Sequence, residues 1–374
     1  MERSAEAPMT SSDPQRAADI ATELLAARWP GAKVVSVARI EGDASARSYL
    51  RCTIAPATGG KGAPAAVVVM LADGPALAMS SAEVGPFSER PPEESPFINI
   101  GRFLATLTDS VPAVLHSSPD GTALVVEDVG DLSLWHAAKR PGADVEGLFG
   151  RALETLATIQ QGAASASPEQ RSDCYAFAHR FDERLFAWEL EHFIEYGLAS
   201  PHQDELEACR LELAGLAQRL AAMPLALCHR DYHAWNIHLQ NSRPRVFDFQ
   251  DALVGPVMYD VASLLTDRTT PLIVDHGMEK RLVSGFYDRV GAAAGQSVQS
   301  ALEDYRLLGF QRALKVVGRF NYLAEEKGKR SYLAMLPAIV ATANRFAAES
   351  GEFPATVELL GTRAKAGLTS DPSL

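Results

Sequence analysis

The chain has 374 residues, 47% of them hydrophobic and 22% charged; at roughly 100–200 residues per domain that allows two or three domains or lobes, supplies a packed core and excludes disorder over the whole length. Lys and Arg number 35 against 47 Asp and Glu, a formal charge of −12, which excludes a general nucleic-acid binder but leaves room for a local basic pocket around one phosphorylated ligand. Four scattered cysteines, Cys52, Cys174, Cys209 and Cys228, form no CxxC pair, and no apolar run approaches the ~20 residues of a membrane helix, so a reducing, cytoplasmic setting without membrane contact is expected.

Residues 1–14 have no apolar leader segment and read as a disordered tail. Asp13 to Trp29 has a cap, a first-turn proline and apolar residues at helical spacing, which predicts a helix. The period then changes. Val34 to Ile40 and Tyr49 to Ile54 read as paired strands around the polar turn Glu41 to Ser45, and Ala65 to Leu71 reads as a buried third strand. Residues 73 to 96 hold Pro75, Pro86, Pro91, Pro92 and Pro96 and read as a mobile loop or insertion. Phe97 to Leu107 is a predicted helix, followed by strands at Val111 to His116 and Ala123 to Val126. After Asp131 long helical patterns dominate: Val145 to Ile159, Arg180 to Tyr196, Asp204 to Ala222, Met278 to Ala293, Ser300 to Glu325 and Tyr332 to Ser350. Short strand-like pieces at Leu225 to Cys228, Ile237 to Leu239 and Arg245 to Phe247 interrupt them. A strand-rich patch inside a helical region is where loops on a rigid scaffold hold functional residues.

That patch contains His229-x-Asp231 and, five positions after Asp231, Asn236; Asp248 follows a hairpin, twelve positions beyond Asn236. The hairpin turn at Asn241 to Pro244 returns the chain, so Asp248 is expected beside Asn236. Two carboxylates and an amide oxygen on converging loops form a hard-oxygen set suited to Mg2+, which shares its ligands with water and substrate phosphates. The remaining carboxylate can accept a proton from an attacking hydroxyl. A lone Asp in a loop is ordinarily a turn former; the combination H-x-D-x-x-x-x-N, then an apolar pair and D-F, is the catalytic-loop and metal-loop pair of kinase-like folds.

The segment resembles the phosphotransferase motif of the aminoglycoside phosphotransferase superfamily, the small-molecule branch of the protein-kinase-like fold. The run from Asp248 through Tyr259-Asp260-Val261 to Asp267 is similar to the anomeric kinases of N-acetylmuramate and N-acetylglucosamine. So are the hairpin Gly42 to Arg51 and the helix Glu189 to Tyr196. The resemblance implies an α+β, bilobal fold: a small antiparallel β-sheet lobe over residues 15–130 and a mostly helical lobe over 131–374, with catalytic loop 229–236 and metal loop 248–251. It implies transfer of a nucleotide γ-phosphate to a sugar hydroxyl in cell-wall amino-sugar salvage. ATP is the expected donor, with GTP left open, and Mg2+ the metal. A monomer or weak homo-oligomer is expected.

On the same resemblance, Asp231 is the base that orients or deprotonates the hydroxyl, His229 supports its loop, and Asn236 and Asp248 hold Mg2+. Gly42, Asp43, Ala44 and Ser45 cover the phosphates, and the backbone of Glu127 and Val129 meets the adenine edge. Glu189, His233 and Asp251 are the expected sugar-side residues, directly or through a neighbour, and Asp260 is expected to buttress the catalytic loop. One departure stands out: the third-strand Lys that contacts phosphates in protein kinases is replaced here by Met70. Arg47 and Arg51 are the nearest cations to take its place. Choline, homoserine, thiamine and aminoglycosides are the competing small-molecule acceptors, and three further readings compete with a small-molecule kinase. An iron-oxygenase facial triad of His229, Asp231 and a distal His276 leaves Asn236 and Asp248 unused. A protein kinase lacks its APE-type segment here, and a non-catalytic binding module is disfavoured by the intact motif.

Overall fold

Alternation in the early strands decides which side of the sheet each residue reaches. The computed structural model describes residues 14–40, 47–55, 63–72, 92–119, 122–290, 295 and 297–364. The tail, the turn Gly42 to Ser45 and most of the proline-rich stretch lie outside these. Helix α1 (Pro14–Arg28) precedes β1 (Lys33–Ile40), β2 (Arg47–Ala55) and β3 (Ala66–Ala72). Helix α2 (Pro96–Ala105), β4 (Val114–Ser117) and β5 (Ala123–Glu127) follow. The five strands form one antiparallel sheet in the order β1-β2-β3-β5-β4. Because side chains alternate along a strand, Leu50, Cys52, Ile54, Val67, Val69 and Val125 pack on one face against Ala17, Ala21 and Leu25 of α1. Met70, Leu124 and Val126 point the other way, onto α2.

The remainder is mostly helical: α3 (Leu134–Ala138), α4 (Val145–Ser165), α5 (Pro168–Asp173), α6 (Glu183–Gly197), α7 (Gln203–Ala221), α8 (Tyr259–Thr266), α9 (His276–Val290), α10 (Val298–Glu326), α11 (Leu336–Ser350) and α12 (Pro354–Arg363). The 29-residue α10 runs through its core. It crosses α6 so closely at Gly318 that an added Cβ would lie 2.7 Å from Phe193 Cα; only glycine permits that approach. Four short strands sit among the helices. β6 (Leu225–Cys228) pairs with β9 (Leu253–Pro256), and β7 (Ile237–Gln240) forms a hairpin with β8 (Arg243–Val246).

The structure moves some expected boundaries. β4 starts at Val114, three residues later than read, because Val111 is buried beneath the sheet ahead of the ladder. Helix α6 starts at Glu183, where the Asp182 side chain accepts the Leu185 N–H at 2.8 Å. Residues 330–335 form a 3-10 turn before α11. β9, α3, α5 and α12 were not anticipated.

Candidate active site

Strand β6 delivers the chain into a loop that its own backbone would not hold unaided. Arg230 has φ +77°, a left-handed conformation unusual for a long side chain. The fully buried Asp260, in the first turn of α8, offsets the strain. Its carboxylate accepts the His229 N–H at 2.6 Å and the Arg230 N–H at 3.0 Å, while the Arg230 carbonyl accepts from Arg312 Nη1 at 3.2 Å. Strain at a functional loop persists only where the surroundings over-determine it; here two carboxylate bonds and a buried arginine do so.

Burial pushes the Asp260 carboxyl up to about 7, against the opposing pull of the two N–H bonds and Arg312. A carboxyl whose folded pKa is raised stabilises the fold below its unfolded value near 3.9 and loses that contribution as pH rises toward 7. The wild type should therefore lose roughly 3 kcal/mol relative to Asp260→Asn between pH 4 and pH 7. Urea unfolding of both proteins at those two pH values checks this, and a pH-independent difference would refute it.

The next loop is tied to the first. His229 Nε2 lies 2.6 Å from the Phe247 carbonyl, so Nε2 carries the proton and donates. Burial lowers the imidazole's pKa despite the opposing fields of Asp231 and Asp248, keeping the ring neutral. His229 thus fixes the residue immediately before Asp248. Asp248 itself has φ +60°. Its Oδ1 accepts from Gln250 Nε2 at 2.8 Å, and its Oδ2 lies 3.5 Å from Asn236 Nδ2. Phe249 anchors the turn by stacking on Phe97 of α2, with ring centroids 4.6 Å apart. Asn236 Nδ2 donates to the Asp231 carbonyl at 3.0 Å, so of its amide atoms Oδ1 is the one suited to face a cation. The structure therefore brings Asp231, Asn236 and Asp248 together.

The Asn236 and Asp248 oxygens suit a hard divalent cation with incomplete protein coordination. No group of three or more His, Cys, Asp and Glu residues with metal-holding geometry occurs among the described residues, so water and phosphate would complete such a site. Asp231 is only partly exposed. Burial alone would raise its carboxyl; the charges of Arg230, Lys315, His233 and Arg312 outweigh it and hold the group at about 2.

Asn236 and Asp248 line one end of a cleft of about 310 Å³ between the five-stranded sheet and the helical part. Met70 lines its sheet side, so the third strand brings no cation there. Glu127 to Asp131 line the connecting segment, with Gly130 at φ +84°. Glu127 pairs with Arg245 at 2.6 Å, and Val129 is buried.

The remaining expected residues differ in what they can reach. Arg51 lines the cleft but spends three donors on Asp128 and Asp131, so it is not the uncommitted phosphate cation that its sequence position suggested. Arg47 opens β2 opposite Ala72; Gly42, Asp43, Ala44 and Ser45 lie outside the described residues. Glu189 is 1% exposed. Lys315 Nζ lies 2.6 Å from its Oε1, Gln311 Nε2 donates to Oε2 at 2.8 Å, and Arg230 Nη2 reaches Oε1 at 3.3 Å. Of the two roles open to Glu189, geometry favours support beneath loop 229–236 over direct sugar contact. His233 Nε2 lies 3.3 Å from Asn236 Nδ2, and Asp251 is half-buried at the end of loop 248–251. His276 pairs with Glu279 instead of completing a triad. Arg312 and Lys315, whose charges act on Asp231, carry no signal in the sequence reading. Gln311, Arg312 and Lys315 share a face of α10 at helical spacing, a pattern indistinguishable in sequence from a solvated stripe.

The sequence matches the phosphotransferase enzyme family over residues 36–307. The N-acetylmuramate/N-acetylglucosamine kinase of Pseudomonas aeruginosa is 31% identical over 260 residues, covering 66% of this chain and 72% of that protein. Its namesake in Neisseria meningitidis is 27% identical over 288 residues, covering 73% and 83%. Among solved structures, the amicoumacin kinase hAmiN in complex with AMP-PNP, Ca2+ and Ami superposes with a TM-score of 0.58 at 14% identity, over 89% of this chain and 94% of that one. A choline/ethanolamine kinase family protein from Mesorhizobium loti gives 0.55 at 15% identity, over 94% and 96%. These structures share the kinase-like fold seen here. Among the described residues no helix is long and apolar enough to cross a membrane.

Proposed function

The chain belongs to the phosphotransferase enzyme family, and from that premise we propose that it phosphorylates the anomeric hydroxyl of N-acetylglucosamine or N-acetylmuramate, with ATP as donor and Mg2+ as metal. The observation that carries this reading is that Asn236 and Asp248 meet at one end of the cleft, with Asn236 bonded to the backbone of Asp231, whose carboxyl stays ionised. The names of the relatives support the choice of acceptor.

In this reading the nucleotide lies between a sheet lobe ending near residue 130 and the helical lobe, its adenine edge against the Glu127–Val129 backbone. Asn236 and Asp248 hold the metal, which when bound neutralises phosphate charge. Asp231 aligns the sugar hydroxyl for in-line attack. The oxygen–phosphorus bond to the sugar forms as the bond to the ADP leaving group breaks, and Asp231 takes the hydroxyl proton. His229 and Asp260 hold the two loops in register, and Glu189 holds Arg230 and Lys315 near Asp231. No covalent enzyme intermediate is required, because positioning and charge neutralisation supply the catalysis. The enzyme would act on free sugars in the cytoplasm, as a salvage step for cell-wall material.

A coupled nucleotide-consumption assay with N-acetylglucosamine, N-acetylmuramate, glucose, choline and an aminoglycoside tests this. Turnover with an amino sugar and phosphate on its anomeric carbon are expected. Turnover confined to choline or the aminoglycoside would reassign the substrate. The absence of both turnover and metal-nucleotide binding would point to a binding module.

A further inference from the structure

The cleft is acidic, although its proposed ligand is a polyanion. Among the described residues that line it, Glu127, Asp128, Asp131 and Asp248 are acidic, and Arg51 is the one Arg or Lys. Asp248 is turned toward Asn236, but the other three belong to the connecting segment, where unpaired carboxylates would repel nucleotide phosphates. Each is paired. Arg245 reaches Glu127 from β8, at 3.0 Å through Nη1 and 2.6 Å through Nη2. Arg51 reaches across from β2. Its Nε lies 2.7 Å from Asp128 Oδ2 and its Nη2 2.9 Å from Oδ1, while Nη1 lies 2.7 Å from Asp131 Oδ2. The planar guanidinium matches a carboxylate in two-point contact and still has a donor for a second one, which an ammonium cannot do with comparable geometry.

The same segment is also held through its backbone. His238 Nδ1 lies 2.7 Å from the Gly130 carbonyl, and Gln240 Nε2 donates to the Asp128 carbonyl at 3.3 Å. Arg51 and the β7–β8 hairpin therefore hold the same five-residue segment, Arg51 through the carboxylates of Asp128 and Asp131 and the hairpin through two backbone carbonyls and Glu127. Asp128 is mostly buried, with 12% of its side chain exposed, whereas Asp131 is 74% exposed. The Asp128 pair thus carries the larger electrostatic effect, since solvent screens the other.

We infer that Arg51 is a positioning residue for the nucleotide. It neutralises Asp128 and Asp131 and binds the connecting segment to β2, so that an anionic ligand meets no bare carboxylate there, and it does not itself ligate the phosphates. This rests on the proposed nucleotide reading of the cleft.

Calorimetric titration with Mg·ADP and with adenosine separates the possibilities, with circular dichroism confirming that each variant is folded. Arg51→Gln should weaken Mg·ADP about tenfold, since it bares a mostly buried carboxylate, and weaken adenosine much less. The double variant Arg51→Gln/Asp128→Asn removes that charge and should recover most of the loss. A double variant as weak as Arg51→Gln would overturn the inference and favour direct phosphate ligation by Arg51. Equal losses for adenosine and Mg·ADP would overturn it too, as the mark of a purely structural strap. Should Arg51→Gln not fold, Arg51→Lys keeps the charge but loses the two-point contact, so it should weaken Mg·ADP less than about tenfold, and Asp128→Asn on that background should restore the affinity; a loss that Asp128→Asn leaves unrelieved would count against neutralisation. A wild type that binds no nucleotide would instead refute the parent reading.

Discussion

Asp231→Asn is expected to lower turnover by about 10³-fold while Mg·nucleotide affinity stays within about threefold of wild type. The substitution keeps the shape of the side chain and leaves the Asp231 carbonyl to receive Asn236 Nδ2, so the metal loop keeps its register. Only the charge is lost. That charge is held by Arg230, Lys315, His233 and Arg312 against the cost of burial. With a pKa of about 2 the carboxylate is a weak base in the resting enzyme, so its work is to orient the hydroxyl and accept its proton late, as a loose phosphoryl-transfer transition state allows. A lowered carboxyl pKa stabilises the fold above the unfolded value near 3.9, and that contribution disappears as pH falls toward 2. Asp231 should accordingly contribute no acid limb to the rate profile above about pH 4. Single-turnover kinetics across pH 5–9 provide the measurement. A variant retaining a tenth of wild-type turnover would remove Asp231 from its role.

The convergence of Asp231, Asn236 and Asp248 was legible because it is local. Residues 231–248 and one hairpin carry all three, and hairpin geometry follows from short spacing. The sheet was legible for a similar reason: Leu50, Cys52 and Ile54 alternate with Tyr49, Arg51 and Thr53, and the buried set faces α1. What holds these parts was less visible. Arg51 and Asp128 are 77 positions apart and meet only because β3 lies between β2 and β5 in the sheet. Sequence proximity to the glycine turn therefore pointed Arg51 at phosphates, whereas strand order points it at the connecting segment. Glu189 has the same history: it lies on a helix similar to a substrate-side helix, but α10 crosses at Gly318 and covers it with Gln311 and Lys315. β9 escaped because Leu253-Val254-Gly255-Pro256 carries the glycine and proline of a loop. It becomes a strand through its partner β6, a tertiary override of local preference.

Loss of the Asp248 carboxylate should uncouple nucleotide binding from the metal. The choice of substitution matters, because Asp248 sits at φ +60°. Asn tolerates the left-handed region through its short polar side chain, whereas Ala adds a backbone penalty of roughly 1–2 kcal/mol that would blur the result. Asp248→Asn also keeps an oxygen for Gln250 Nε2 and leaves Phe249 stacked on Phe97. What changes is the charge facing the cation. If Asn236 and Asp248 are the protein's share of the metal site, that charge supplies most of its affinity, since the amide oxygen of Asn236 is neutral. In wild type, chelation by EDTA should weaken ATP binding about 100-fold. In Asp248→Asn, binding should already be that weak, and EDTA should change it little. Gln250→Ala, which removes one donor from the carboxylate while leaving it in place, should fall between them at about tenfold. The graded order follows from the geometry: a lost ligand charge costs more than a lost orienting bond, and both act on metal affinity before they act on nucleotide. Unchanged Mg·ATP affinity in Asp248→Asn, or a persistent EDTA response of wild-type size, would place the metal elsewhere and leave Asp248 as a turn residue whose strain then has no chemical purpose.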